Sequence, residues 1–241
     1  MSQDLVGYTL SPPPAEASAL FGERLPTMLR YAELLAGPGV ERGLIGPREV
    51  DRLWERHLLN CGAVAELIAP DQTVVDVGSG GGLPGLVLAI ARPDLRMTLL
   101  EPLLRRTIVL SECVETLNLR NVEVRRGRAE EWAGRVNADL VTARAVAPLE
   151  KLIGWCLPLI APKGRMLALK GETAAAELDR VAPGLSALGA VDWGVASVGA
   201  ELGDAATHVV RIDLGAKGYR APKPARPARN SRSSHSRRTP N

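Results

Sequence analysis

Val74-Val75-Asp76-Val77-Gly78-Ser79-Gly80-Gly81-Gly82-Leu83-Pro84-Gly85 reads as a hydrophobic strand running into a glycine cluster and then a helix, predicted over Leu83–Ala91. Five glycines fall within eight residues. Glycine is needed where the backbone turns tightly and where a ligand must touch it without a Cβ in the way. Glu101 ends the next predicted strand. An acid there can accept hydrogen bonds from both hydroxyls of a ribose. The segment therefore predicts a nucleotide-like ligand at the carboxyl edge of a sheet.

Two glycine registers are present. Gly80-x-Gly82-x-x-Gly85 satisfies the spacing of dinucleotide-binding loops, which points to nicotinamide chemistry. Asp76-x-Gly78-x-Gly80-x-Gly82 begins on the strand itself, and its first glycine lies two residues before the first glycine of the other register. No hydride-transfer constellation is recognisable downstream, which favours the second register.

Outward from the loop, strands and helices alternate. Val74–Val77, Met97–Leu100, Val122–Val124, Leu140–Thr142 and Met166–Leu169 are predicted strands. Leu83–Ala91, Leu103–Leu117, Ala129–Gly134 and Pro148–Leu159 are the helices between them. Repeated units of this length imply an α/β fold with a mostly parallel sheet covered on both faces. After a helix over Thr173–Leu188, Val191–Val198 and His208–Leu214 read as an antiparallel hairpin closing the sheet edge. Residues 1–70 read as a helical extension, with one helix over Ala15–Ala36 interrupted by Pro26. A second begins at Arg48, with Val50, Leu53, Trp54, His57, Leu58 and Cys61 on one amphipathic stripe. Residues 71–215 form the ligand-binding core.

Composition excludes several classes. The chain has 241 residues, 46% hydrophobic and 24% charged, enough for a sizeable core. No apolar run reaches the 18 or so residues of a membrane span, and the first basic residue is Arg24, so no secretory signal is expected. Cys61, Cys113 and Cys156 are widely spaced, which suits reduced thiols in a cytoplasm and no metal site. Residues 217–241 hold eight of the 30 Lys and Arg and no acid, leaving 22 cations against 27 anions elsewhere. Residues 216–241 are expected to be a disordered basic tail, either a solvated extension or a grip on a polyanion.

The second glycine register resembles motif I of class I S-adenosylmethionine-dependent methyltransferases, with Glu101 as the ribose acid. Other segments narrow the likeness: Trp54-x-Arg56-His57-Leu58-Leu59-Asn60, then the glycine loop with its Leu-Pro-Gly ending, Arg128-Ala129-Glu130, Arg144-Ala145-Val146-Ala147-Pro148-Leu149 and Lys170-Gly171. In that order they resemble the bacterial 16S ribosomal RNA guanine-N7 methyltransferases, the RsmG family formerly called GidB, over about residues 15–214. The resemblance implies a Rossmann-like fold, S-adenosylmethionine as cofactor and a guanine (position 527) of 16S rRNA in the 30S subunit as target. It places Gly78, Leu83, Ala129, Glu130 and Arg144 along the cofactor, beside Asp76, Ser79, Gly80, Gly82 and Glu101 of the loop and its acid.

Several basic residues are candidates for the substrate side. Arg144 and Lys170 end the fourth and fifth predicted strands and are expected to position RNA phosphate or the guanine O6. Arg56 and His57 either pack the N-terminal helix or cover the cofactor mouth and touch RNA. Arg125 and Arg126 read as a solvated, ion-paired edge, and Arg128 as an RNA or cofactor-loop residue. Three Tyr, four Trp and one Phe form no stacking stripe, so RNA recognition should lean on phosphate contacts and shape. A monomer is expected. Two alternatives stay open at this point: a class I methyltransferase for another substrate, and a nucleotide-binding regulatory or redox protein using Gly80, Gly82 and Gly85.

Overall fold

Alternate residues of a strand face opposite sides of its sheet, and here that alternation divides one core into two halves. A computed structural model of the chain describes residues 10–222. Seven strands form one sheet: β1 Thr73–Val77, β2 Arg96–Glu101, β3 Val122–Arg126, β4 Ala138–Arg144, β5 Ile160–Leu169, β6 Ala190–Val198 and β7 Thr207–Leu214. Their order is β3-β2-β1-β4-β5-β7-β6. β7 is antiparallel to both neighbours, and the remaining pairs are parallel. The predicted hairpin forms, but β7 rather than β6 joins the parallel strands, so β6 is the edge.

Helices cover both faces: α1 Ala15–Phe21, α2 Leu25–Leu34, α3 Asn60–Ala63, α4 Gly85–Ala91, α5 Leu104–Thr116, α6 Ala129–Trp132, α7 Leu149–Cys156 and α8 Ala174–Leu185. Val74, Leu140 and Leu167 pack on one side with α4, α5 and the N-terminal helices. Their neighbours Val75, Val141 and Ala168 pack on the other side with α7 and α8. The first cluster runs without a break from Ala17 through Tyr31 and Leu59 to Val209. The N-terminal extension and the sheet therefore share one core.

Three sequence expectations need correction. The helix over Ala15–Ala36 is broken at Gly22, whose φ of 48° leaves the helical region, and restarts at Leu25 with Pro26 in its first turn, where a missing N–H is tolerated. The stripe from Arg48 is not one α-helix: Pro47–Arg52 is 3₁₀, Leu53–Leu59 is π-helical and α3 follows. The wider π winding turns Leu53, Trp54, His57, Leu58 and Leu59 all inward. The start of the basic tail is part of the fold, since the Gly218 N–H donates to the Gly215 carbonyl (2.9 Å) and the Arg220 N–H to the Leu188 carbonyl (2.9 Å). The rest of the expected tail, residues 223–241, lies outside the described residues.

β1 is flanked by β2 and β4, where the strand order reverses. In an open α/β sheet that reversal leaves a crevice at the carboxyl ends of the strands. The glycine loop follows β1 into it.

Candidate functional site

The backbone amides of the glycine loop organise the site. The Gly80 N–H donates to Glu101 Oε2 (3.0 Å), and the Leu103 N–H donates to Oε1 (3.0 Å). Gly80 has a φ of 57°, a conformation that L side chains rarely adopt. Glu101 is 2% exposed, and the Arg106 guanidinium lies 3.9 Å from Oε2. The carboxylate is thus held by main chain and countered by one cation. A carboxylate offers roughly four lone-pair sites, so it keeps acceptor capacity for a ligand.

A cavity of about 1050 Å³ opens here. Of the predicted site residues, Gly78, Ser79, Gly80, Leu83, Glu101, Arg128, Ala129, Glu130 and Arg144 line it. Leu44, Arg106, Val146 and Trp155 line it too and were not anticipated. Arg106 lies in the first turn of α5, five residues after Glu101, which is a usable signal. Leu44 and Trp155 arrive from distant segments and carry none.

Asp76 does not reach the cavity wall, which corrects its assignment as a direct ligand residue. It is fully buried, and its Oδ2 accepts the Gly85 N–H (3.0 Å). Burial pushes its carboxyl up to about 7, against the Gly85 hydrogen bond that favours the anion. Asp76 ties the start of α4 to the end of β1. A Cβ on Gly85 would lie 2.3 Å from Leu99 and 2.7 Å from Asp76 Oδ2, so helix and strand meet too closely for a side chain. Gly82 is also off the wall: a Cβ there would fall 2.5 Å from Leu86 and 2.8 Å from the Tyr31 hydroxyl. The middle glycine of the dinucleotide register therefore packs on protein, which removes the basis for that reading. Tyr31, fully buried on α2, donates its hydroxyl to the Gly81 carbonyl (2.7 Å) and braces the loop from below.

Arg144 ends β4 on the cavity wall. Its Nη1 donates to the Arg56 carbonyl (3.2 Å) and to Cys61 Sγ (3.2 Å), and its Nη2 contacts His57 Nδ1. His57 Nε2 lies 2.7 Å from Glu49 Oε2, and Arg56 Nε is 3.5 Å from the same oxygen. His57 is 7% exposed, so direct contact with RNA is excluded by burial. Burial, then the Arg144 charge, holds its imidazole below the usual histidine range, while Glu49 opposes.

Lys170 requires a correction as well. Its Nζ donates to the Ala147 carbonyl (2.6 Å) and pairs with Glu177 Oε2 (2.9 Å), and its side chain is only 9% exposed. Glu177 also accepts the Leu149 N–H (2.7 Å) and the Thr173 hydroxyl (2.8 Å). Paired with Glu177 and absent from the cavity wall, Lys170 anchors the loop between β4 and α7. Arg125 behaves as expected, pairing with Glu123 (2.5 Å) and lying over the Trp132 ring at 5.3 Å.

Among the described residues no group of His, Cys, Asp and Glu is arranged to hold a metal ion, and no helix is long and apolar enough to cross a membrane. The site can bind a ribosyl group on a carboxylate, stack a planar ring along Ala129 and Glu130, and present a fixed guanidinium opposite.

The family model for rRNA small subunit methyltransferase G matches residues 24–205. Similar relatives bear the name ribosomal RNA small subunit methyltransferase G. The one from Thermobifida fusca is 60% identical over 202 residues, covering 84% of this chain and 85% of its own. That from Rhodococcus jostii is 59% identical over 203 residues, covering 83% and 88%. That from Streptomyces avermitilis is 56% identical over 207 residues, covering 86% and 87%.

Proposed function

The chain belongs to the rRNA small subunit methyltransferase G family, and from that premise we infer that it methylates N7 of a guanine in 16S rRNA with S-adenosylmethionine as methyl donor. The observation that carries the cofactor part is the buried Glu101 carboxylate, held by the Gly80 and Leu103 amides on the wall of a cavity of about 1050 Å³. The residues present fit an adenosyl group. Glu101 has acceptor capacity left for ribose hydroxyls, and Ala129 and Glu130 line the neighbouring wall where an adenine would lie. Gly78, Ser79 and Leu83 line the loop side of the same space. S-adenosylmethionine supplies a methyl already activated by a sulfonium leaving group.

The rest is positioning by the chain. Guanine N7 carries a lone pair in the neutral base, so no general base has to remove a proton. The end of β4 reads Thr142-Ala143-Arg144-Ala145 and offers no carboxylate or imidazole on the wall for that task. Methylation makes the ring positive, so the Arg144 cation does not stabilise the transition state by charge. It orients the substrate, through the guanine O6 or a phosphate. Holding N7 in line with the methyl converts a bimolecular encounter into an oriented one, a contribution that can reach about 7 kcal/mol. Arg128, on the cavity wall, and Arg56, half exposed beside it, are assigned to RNA phosphates.

We take the 30S subunit as the form in which the rRNA is methylated and the cytoplasm as the compartment. A monomer is proposed, because the RNA itself supplies the partner surface. The test is transfer of label from methyl-labelled S-adenosylmethionine to 30S subunits lacking the modification, with naked 16S rRNA in parallel. Label is expected in the 16S rRNA of the subunit. Absence of transfer to either RNA by protein that binds S-adenosylhomocysteine would overturn the substrate and keep the cofactor.

A further inference from the structure

Arginine carries donors only and does not lose its proton in proteins. The contact between Arg144 Nη2 and His57 Nδ1 therefore fixes the histidine's state: Nδ1 must offer a lone pair. The proton then sits on Nε2, 2.7 Å from Glu49 Oε2, which accepts it. A neutral imidazole thus stands between an obligate donor and an obligate acceptor. The charged groups facing it are Glu49 from the turn Pro47–Arg52, Arg56 from its own segment and Arg144 from β4.

The same segment supplies every contact that restrains the guanidinium. Three of its five N–H groups are taken by the Arg56 carbonyl, Cys61 Sγ and His57 Nδ1. The first two acceptors are a main-chain oxygen and a weakly accepting sulfur, and they restrain Nη1 alone. His57 restrains Nη2, and without it the plane of the group can turn. Resting on the function inferred above, we propose that His57 is the positioning residue of this methyltransferase: its Nδ1 lone pair fixes the orientation in which the Arg144 guanidinium meets the RNA.

A direct consequence follows for acid solutions. A proton on Nδ1 would set donor against donor and cation against cation, so Arg144 is released when His57 ionises. Burial and the Arg144 charge lower the imidazole from its ordinary value, and the geometry is secure at neutral pH. Activity falls as pH drops through the histidine's ionisation, with a midpoint below the ordinary histidine range.

Two measurements on the wild type and two variants test this. The folded full-length protein is first observed by long-range ¹H–¹⁵N NMR of its imidazoles at pH 7. The chain has three histidines, and His57→Asn assigns the signal. His57 is expected neutral with its proton on Nε2; an imidazolium, or a proton on Nδ1, overturns the proposal. Methylation is then followed from pH 5 to 8.5 for wild type, His57→Asn and His57→Leu. The Asn side-chain oxygen can replace Nδ1 as acceptor and does not titrate. His57→Leu is expected to lower kcat about 100-fold on the neutral plateau and to lack the acid limb, with affinity for S-adenosylhomocysteine unchanged. His57→Asn is expected to recover at least tenfold of that loss and to lack the acid limb of the profile. A Leu variant as fast as wild type overturns the proposal, and so does an Asn variant no better than Leu or one that retains the limb. If His57→Leu does not fold, the Asn profile and the NMR result decide. If wild type transfers no methyl to rRNA, the functional reading fails while the tautomer result still stands or falls alone.

Discussion

Asp76 shows how a single buried acid can be structural in a site that looks made for ligand. Its carboxyl has no exposed surface, one oxygen bonded to the Gly85 N–H and the other, Oδ1, without a partner. Burial raises it from 3.8 to about 7. Between those values the folded chain keeps a proton that the unfolded chain has released. Unfolding then releases protons, so stability contributed at this site falls as pH rises from about 4 to about 7 and is level above that. Asp76→Asn keeps an oxygen for the Gly85 N–H and removes the titration. It is expected to match wild type in urea unfolding near pH 4 and to exceed it at pH 8, by up to about 4 kcal/mol. An equal difference at both pH values would show that the carboxylate is not desolvated as described. Nothing local in the sequence separates this role from a ligand contact. The acid is read correctly as part of the loop, but the direction of its side chain depends on Leu99 and Gly85 packing beside it.

At the scale of elements, β5, the β4–α7 loop and α8 are joined by Lys170 and Glu177. The ammonium holds the Ala147 carbonyl while the carboxylate holds the Leu149 N–H, so the α7 end of the loop that follows Arg144 is pinned. Lys170→Met removes one partner of a largely buried pair and leaves Glu177 facing Ala147. It is expected to destabilise by roughly 2 kcal/mol, lowering Tm, and to reduce kcat while leaving S-adenosylhomocysteine affinity alone. Thermal melting with a titration checks both, and a variant of wild-type stability with lost cofactor binding would contradict the assignment. The strands were legible because each is a short apolar run between helical periods, and Glu101 because it ends one of them. Lys170 was legible as a strand-end cation but not as a paired one. Its partner lies on α8, and only the packing of α8 against α7 brings them together. The π-helical turn over Leu53–Leu59 was invisible for a related reason. Its side-chain types suit an α-helical stripe equally well, and the choice is made by contact with Arg144 and the core.

Across the whole molecule, the N-terminal extension completes the cavity. Tyr31 holds the glycine loop, Leu44 lines the wall, and the segment from Arg56 to Cys61 fixes Arg144. Its apolar residues belong to the same cluster as Val74, Leu86 and Leu140. The segment that reads in sequence as an addition to a nucleotide-binding sheet thus adds Leu44 to the wall and braces the loop and Arg144 from behind. Of this only the alternative of a cover over the cofactor mouth was legible, because the contacts span the chain. The basic residues divide likewise. Lys170 and Arg125 are spent on partners within the fold. Arg128 and Arg144 stay on the cavity wall, where rRNA must approach if a guanine is to meet the methyl of a cofactor whose ribose Glu101 would hold. The most direct measurement is the identity of the product. 30S subunits lacking the modification are incubated with the protein and S-adenosylmethionine, and the 16S rRNA is digested and its nucleosides weighed and mapped. The account predicts 7-methylguanosine at a single position. A methyl group on another ring atom or on another base, or scattered over many guanines, would contradict it.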